Sequence, residues 1–189
     1  MAPSLRDPGV SGAGTWRQRT QATLVELGAD PALLRQRRLP LHREARRLVC
    51  VGLGSDGRDK FLLPDAAAGW DGMATAAAAD GVVLQLLSAF RSFDYQLALI
   101  RAKLARGQSF EQVLAVNAPP GCSEHHSARA VDVGSAGCPP LEEAFENTDA
   151  FAWLSAYARR FGFTLSYPRG NRYGYLYEPW HWCWHRTPA

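Results

Sequence analysis

Apolar positions near the start of the chain recur at helical spacing. The segment TWRQRTQATLVELG predicts a helix with Thr15 as its N-cap and Gly28 just beyond its end. A second, shorter helix is predicted directly after it. We therefore expect residues 1–47 to form a basic helical extension and residues 48–189 to form the main domain.

Beyond residue 48, short apolar runs separated by turn residues alternate with amphipathic stretches. The runs RLVCVGLG and KFLLP flank a turn at residues 54–57 and predict two short strands. The later segments predict an alanine-rich helix DGMATAAAADG, a buried strand VVLQLLSAF, helices YQLALIRAKLARG, FEQVLAVN and DAFAWLSAYARRFG, and strands FTLSYP and YGYLYEPWHWCWH. Since no regular βαβ repeat is present, we predict an α+β fold with a small, mostly antiparallel sheet flanked by helices.

Composition and charge are those of an ordinary globular protein. The 189 residues are 47% apolar and 21% charged, enough for one domain with a substantial core. Residues 1–47 carry nine arginines and four acids, a net charge of +5, whereas residues 48–189 carry a net charge of −2. This basic end could bind an anionic partner such as nucleic acid, membrane or cell-wall polymer, or form a solvated helical face. Because no aromatic residues are interleaved for base stacking, we favour the solvated face and expect no nucleic-acid partner.

Targeting signals and cysteines bear on the compartment. No apolar run approaches the ~20 residues that span a bilayer, so we expect no transmembrane segment. The N-terminus lacks the apolar core of a secretory signal, which predicts a cytoplasmic location. None of the four cysteines lies in a C-x-x-C pair, which argues against a zinc ribbon. Cys122 and Cys138 could be bridged in an oxidising compartment, but without a signal the reduced state is expected.

Candidate chemistry centres on the stretch SEHHSARAVDV. His125 and Asp132 offer an imidazole and a carboxylate, both good zinc ligands, and small residues between them allow close approach of the backbone. Catalytic zinc usually takes three protein ligands, so a third must come from elsewhere. The best donor is EPWHW, with His181 as ligand and Glu178 as a base. Residues three apart in a regular strand point to opposite faces, so we expect a bend at Pro179.

These segments resemble the zinc D-Ala-D-Ala peptidases, which include VanY-like carboxypeptidases and related dipeptidases and endolysins. SEHHSARAVD matches their S-x-H-x-x-G-x-A-x-D signature, and EPWHW matches E-x-W-H. SAFRSFDYQ is similar to their S-G-[YF]-R-[ST]-x-x-x-Q segment, and FGFTLSYP to the stretch between the two metal motifs. The segments occur in family order over about residues 82–185. The resemblance implies the small α+β fold shared with the hedgehog signalling domain.

The resemblance also implies roles for individual residues. One Zn²⁺ ion would be held by His125, Asp132 and His181. Glu178 would serve as catalytic base and acid, and Arg91 would stabilise the oxyanion or clamp the substrate. The substrate site would be lined by Gln96, Ser123 and Tyr167.

Several positions depart from the family signatures or allow another role. Ala128 stands where the first signature has glycine, and an alanine there is strained if the backbone needs a positive φ. Ala89 replaces a second motif glycine. We expect His126 to lie behind the ligands or on the surface. His185 is disfavoured as a ligand because two strand pleats would separate it from His181 by roughly 13 Å.

Aromatic residues crowd the end of the chain. Six of them lie in two alternating sets: Tyr173, Tyr175 and Tyr177, then Trp180, Trp182 and Trp184. They could form a surface on which carbohydrate or peptide stacks, but we favour packing on both faces of a strand. Arg129 could favour an anionic substrate or face solvent.

The function implied by the resemblance is hydrolysis of D-alanyl-D-alanine-type bonds in peptidoglycan stem peptides by a monomeric zinc carboxypeptidase. Glu178 would assist the attack of zinc-bound water on the scissile carbonyl. The same residues would serve an L,D-carboxypeptidase or an endolysin-type endopeptidase. A non-catalytic, zinc-containing cell-wall-binding module is a further alternative, although a structural zinc site needs neither Glu178 nor Arg91. A cell-wall substrate conflicts with the cytoplasmic location that the sequence predicts.

Overall fold

The computed structural model describes residues 13–30 and 32–186. Its helices are α1 (Ala13–Glu26), α2 (Leu33–Gln36), α3 (Pro64–Ala79), α4 (Phe93–Ala105), α5 (Phe110–Val116) and α6 (Asp149–Tyr157). Its strands are β1 (Val49–Leu53), β2 (Asp59–Leu62), β3 (Gln85–Ser88), β4 (Ala130–Gly134), β5 (Phe163–Leu165) and β6 (His181–Trp184). Short 3₁₀ helices cover Glu124–Ser127, Glu143–Asn147 and Ala158–Phe161. No helix in this part of the chain has the length and apolar character needed to cross a bilayer.

Two antiparallel sheets organise the strands. β1 and β2 form the predicted hairpin, and the second sheet has the order β3-β4-β6-β5. Every neighbouring pair in this sheet is antiparallel. The central strand β4 is buried along its whole length. The predicted α+β class with a small antiparallel sheet is therefore confirmed.

The main core lies between the four-stranded sheet and helices α3 and α6. Val131 and Val133 of β4 pack there with Trp70 of α3 and Leu154 of α6. These apolar side chains recur at strand or helix spacing, so each element buries one side against the others. The polar side chains of β4 and β6 are left to face the opposite side of the sheet, where the site forms.

A second, smaller core joins the N-terminal helices to the site. Leu24, Leu34 and Leu39 are buried in one cluster with Tyr167 and Tyr175. Sequence reasoning expected the first 47 residues to be a preface with a solvated face. In the described part of this segment every arginine except the half-buried Arg37 is exposed, as expected of a solvated face. Its leucines also contribute to a core shared with the site.

Some elements differ in extent from the prediction. α1 begins at Ala13, so Thr15 lies inside the helix and is not its N-cap. The alanine-rich helix α3 begins at Pro64, because proline is accommodated in a first helical turn. Ser92 caps α4 by accepting a hydrogen bond from the backbone N–H of Tyr95. The strand predicted for residues 173–185 is wrong before His181, since residues 173–180 form an irregular loop and a turn.

Candidate metal centre and active site

Three potential metal ligands meet on the sheet. β4 and β6 pair so that Asp132 lies opposite His181, and the 3₁₀ helix before β4 carries His125. Asp132 Oδ1 is 3.0 Å from His181 Nδ1, and Asp132 Oδ2 is 3.2 Å from His125 Nε2. One ligand atom from each side chain lies within 4.8 Å of the others, and all three residues are buried. The structure thus brings the predicted ligand set together.

The chemistry of this set fits a zinc ion. His125 Nδ1 is 2.6 Å from the carbonyl oxygen of Ala89, which can only accept, so Nδ1 donates and Nε2 keeps a lone pair. That buried Nε2 atom has no hydrogen-bond partner among the described residues. Burial lowers the pKa of His125 to about 4, so the ring is neutral at physiological pH. A buried lone pair needs a partner, and a cation held with Asp132 and His181 would be one.

Glu124 is a candidate that sequence reasoning missed. Its Oε2 atom lies 3.0 Å from His181 Nε2 and accepts a hydrogen bond from Ser166 Oγ at 2.6 Å. Burial alone would raise the pKa of Glu124, but the hydrogen bonds with His181 and Ser166 lower it to about 2. A carboxylate on the outer nitrogen of a ligand histidine fixes the ring and makes it a stronger ligand. The only local signal was an acid beside the first ligand, because its partner lies 57 positions away.

Glu178 lies on the turn that leads into β6. The backbone N–H of His181 donates to the Glu178 carbonyl at 3.1 Å, which gives the bend expected at Pro179. The buried Glu178 carboxylate places Oε2 3.8 Å from His181 Nδ1. Burial, with the neighbouring Asp132 carboxylate, raises the pKa of Glu178 to about 7. A carboxyl group with such a pKa can both accept and release a proton near neutrality.

Arg91 faces the same centre from the segment that follows β3. Its Nη2 atom is 3.8 Å from Asp132 Oδ2, and its Nε atom is buried with no hydrogen-bond partner among the described residues. The Arg91 backbone N–H donates to the His125 carbonyl at 3.2 Å. His126 Nδ1 donates to the Arg91 carbonyl at 2.6 Å, while its Nε2 accepts from the Gly121 N–H. His126 therefore supports the Arg91 backbone from a buried position, and its predicted surface alternative is wrong.

A small cavity opens beside these groups. The three predicted substrate residues line it, namely Gln96, Ser123 and Tyr167. Gln96 Nε2 donates to the Ala118 carbonyl at 2.8 Å, whereas its buried Oε1 has no partner in the described chain. Tyr175 also lines the cavity and was not predicted as a site residue. An acceptor from Gln96 and donors from Arg91 thus flank the volume next to Glu178.

Ala128 adopts the backbone conformation for which the family signature uses glycine. Its φ and ψ angles are 55° and 30°, in the left-handed region, and its side chain is fully buried. The Ala128 N–H donates to the His125 carbonyl, and its own carbonyl accepts from Leu63 N–H at 2.8 Å. These contacts hold the strained residue in place between the two metal-binding segments.

The other titratable residues near the centre lie outside the ligand set. His185 is exposed beyond β6, and Arg129 is exposed with its guanidinium 5.8 Å from the Trp184 ring centroid. All four cysteines are free: Cys122 is buried in the second core, whereas Cys138 packs at the edge of the main core. Cys122 and Cys138 are therefore not bridged.

The fold and the site together define a class of protein. A small antiparallel sheet holds a buried His–Asp–His set, with a glutamate on the turn before the last ligand. Solved D,D-peptidases share the fold of this small sheet and its helices, which confirms the fold predicted from the resemblance. The chain belongs to the VanY family of D-alanyl-D-alanine carboxypeptidases, whose family model matches residues 59–187.

Individual relatives extend the comparison. YodJ of Bacillus subtilis, a candidate carboxypeptidase, is 32% identical over 125 residues, which are 65% of this chain and 45% of YodJ. This chain thus spans less than half of that relative. The LD-carboxypeptidase LdcB superposes with a TM-score of 0.67 at 28% identity, covering 77% of this chain and 71% of LdcB. The D,D-pentapeptidase VanY, solved as a mutant with Zn(II), gives a TM-score of 0.59 at 25% identity, covering 77% and 82%. VanYB has also been solved with D-alanine-D-alanine.

Proposed function

We propose that this protein is a zinc-dependent D,D-carboxypeptidase that removes the terminal D-alanine from peptidoglycan stem peptides. One observation carries the proposal: a buried His125–Asp132–His181 set lies beside the Glu178 carboxylate, only 3.8 Å from His181. The complex of VanYB with D-alanine-D-alanine supports the substrate class.

The residues of the site can be assigned to steps of amide hydrolysis. A zinc ion held by His125, Asp132 and His181 would supply a Lewis acid and make water a better nucleophile at neutral pH. Glu178 accepts a proton from the attacking water while the water oxygen bonds to the scissile carbonyl carbon. Glu178 then gives that proton to the leaving amine nitrogen as the C–N bond breaks. Arg91, with its donors directed at the same centre, stabilises the negative charge that develops on the carbonyl oxygen.

Glu178→Ala tests this proposal directly. We expect the variant to lose at least about 10²–10⁴-fold in turnover of a D-Ala-D-Ala-terminated peptide, because it removes a general acid and base. It should retain zinc, since Glu178 is not in the ligand set. A matched control is Glu142→Ala, because Glu142 is exposed and outside the site. Turnover by Glu178→Ala at the rate of the control would overturn the proposal.

L,D-carboxypeptidase activity is the second candidate. It is favoured by the superposition on LdcB, whose TM-score of 0.67 exceeds the 0.59 obtained with VanY. The proposed metal ligands and Glu178 would serve either bond, so the pocket walls decide between the substrates. Mass spectrometry of products from tetrapeptide and pentapeptide muropeptides separates the two. Loss of D-alanine from the tetrapeptide alone would favour the L,D-specific enzyme, and internal cleavage would indicate an endopeptidase.

A further inference from the structure

One wall of the substrate cavity is formed by an irregular loop, in which the Asn171 side-chain oxygen accepts hydrogen bonds from the backbone N–H groups of Tyr173 and Tyr175. Residues 171–177 contain no helix or strand, yet Tyr175 is only 8% exposed and lines the cavity. The Tyr175 ring packs edge-on against Tyr167 at 4.9 Å between centroids, and Tyr167 lies 4.6 Å from the His181 ring. Three rings in contact therefore connect the loop to the proposed metal ligand.

Arg37 holds this loop from the N-terminal segment. Its Nε donates to the Tyr173 carbonyl at 2.6 Å, and its Nη1 donates to the Leu114 carbonyl at 3.0 Å. Its guanidinium carbon lies 4.5 Å from the centroid of the Tyr175 ring. Leu114 belongs to the last turn of α5, whose carbonyls lack helical partners and attract cations. One guanidinium group thus ties the loop, the end of α5 and the cavity wall together.

Packing around Arg37 reinforces these contacts. Leu34 and Leu39 flank Arg37 in sequence and are buried in the same cluster as Tyr167 and Tyr175. The planar guanidinium can stack and donate in two directions at once, which an ammonium group cannot do. Arg37 also precedes the stretch matched by the family model, which begins at residue 59. The family signatures therefore give no reason to expect a site role for it.

We propose that Arg37 is a positioning residue that fixes the Tyr175 wall of the cavity and thereby sets the affinity for substrate. The inference rests on the proposed function, because it assigns this cavity to the stem peptide. Without Arg37, the loop loses its charged hydrogen bonds and the Tyr175 ring loses its cation partner. The substrate must then order the Tyr175 wall as it binds, and the free energy spent on this ordering weakens its affinity. No group that acts in the chemistry is removed.

The test compares Arg37→Ala and Arg37→Lys with the control Arg35→Ala. Arg35 lies on α2, is exposed, and its side chain makes no hydrogen bond or ion pair with the described residues. For Arg37→Ala we expect KM for a D-Ala-D-Ala-terminated peptide to rise roughly tenfold, with kcat and zinc content close to those of the parent protein. Arg37→Lys should show an intermediate KM, and it remains informative if the alanine variant does not fold. Arg35→Ala should match the parent protein in all three quantities.

Two further measurements separate this inference from the proposed function. Hydrogen exchange should be faster at residues 171–177 in Arg37→Ala than in Arg35→Ala, and this readout does not require activity. A double-mutant cycle with Tyr175→Leu should show less than additive effects on KM, because Arg37 acts through Tyr175. Equal exchange and equal KM in the two arginine variants would overturn the inference. A parent protein inert on every muropeptide, with fast loop exchange only in Arg37→Ala, would refute the proposed function and keep the positioning role.

Discussion

Removal of the Glu124 carboxylate should weaken zinc binding although Glu124 is not a ligand. Its Oε2 atom lies 3.0 Å from His181 Nε2, so Nδ1 of the same ring is directed toward Asp132 and the proposed ion. A hydrogen bond to a charged group contributes about 1.5–3 kcal/mol. Loss of such a partner to a ligand histidine typically costs about 10–100-fold in metal affinity, or about 1.4–2.8 kcal/mol.

Two substitutions at Glu124 should be distinguishable. Glu124→Ala removes the acceptor and leaves Ser166 Oγ without its partner, so we expect the full 10–100-fold loss. Glu124→Gln keeps an oxygen that accepts from His181 but removes its charge, so its zinc affinity should fall between those of the parent and the alanine variant. Competition with a chromophoric chelator at fixed pH measures the dissociation constant.

The controls isolate the contact between Glu124 and His181. Ser166→Ala removes one hydrogen bond to the carboxylate but leaves the histidine contact, so its effect should be smaller than that of Glu124→Ala. Glu142→Gln removes an exposed carboxylate and should leave zinc affinity unchanged. A zinc dissociation constant for Glu124→Ala within about twofold of the parent value would refute the orienting role, since the expected loss is at least about tenfold.

Two further predictions concern stability. Ala128→Gly removes the strain of an alanine in the left-handed region, which adds about 1–2 kcal/mol to the free energy of unfolding. This gain offsets two costs of the substitution, the loss of a buried methyl group and the greater conformational freedom of the unfolded chain. Ala130→Gly, at an equally buried position in β4, has no such relief and should be less stable than Ala128→Gly by about 1–2 kcal/mol in denaturant unfolding; equal losses would contradict the strain at Ala128. Chelation of the metal should lower the melting temperature, because zinc at 100 times its dissociation constant adds about 2.7 kcal/mol, or about 5–11 °C at this chain length. Readdition of Zn²⁺ should restore the melting temperature of the parent protein but should not raise that of His125→Ala. Identical melting curves of the parent protein with and without metal would argue against the site.

Most of the correct predictions came from short motifs, whose residues lie close together in the sequence. His125, Asp132 and His181 lie in two short motifs, and the antiparallel pairing of β4 with β6 brings these motifs together as expected. The helix predicted at FEQVLAVN begins with a capping box formed by Ser109 and Gln112, a pattern that is entirely local in the sequence. The turn at Pro179 followed from the geometry of a strand, which could not present both Glu178 and His181 to one side.

Contacts between distant segments could not be predicted in this way. Glu124 meets His181, and Arg37 meets Tyr173, across separations of 57 and 136 positions. The alternating aromatic residues from Tyr173 onward have the period of a strand, but Tyr173 and Tyr175 pack in the core that contains the N-terminal leucines instead of pairing with a neighbouring strand. Tertiary packing therefore overrode a local pattern that was correct only for the last four residues.

The two adjacent histidines have a consequence for how this scaffold can diversify. His125 and His126 hydrogen-bond to carbonyls two residues apart, those of Ala89 and Arg91, so both histidines are tied to the segment that carries the Arg91 guanidinium. The cavity wall at Tyr175, by contrast, belongs to an irregular loop held mainly by side chains. Exchanging that loop together with its N-terminal anchor would change which peptide fits while the spacing of the hydrolytic groups stays the same. The hydrolytic groups and the Tyr175 wall of the cavity are thus held by different parts of the chain. Engineered changes of specificity should therefore begin at the loop that carries Tyr175.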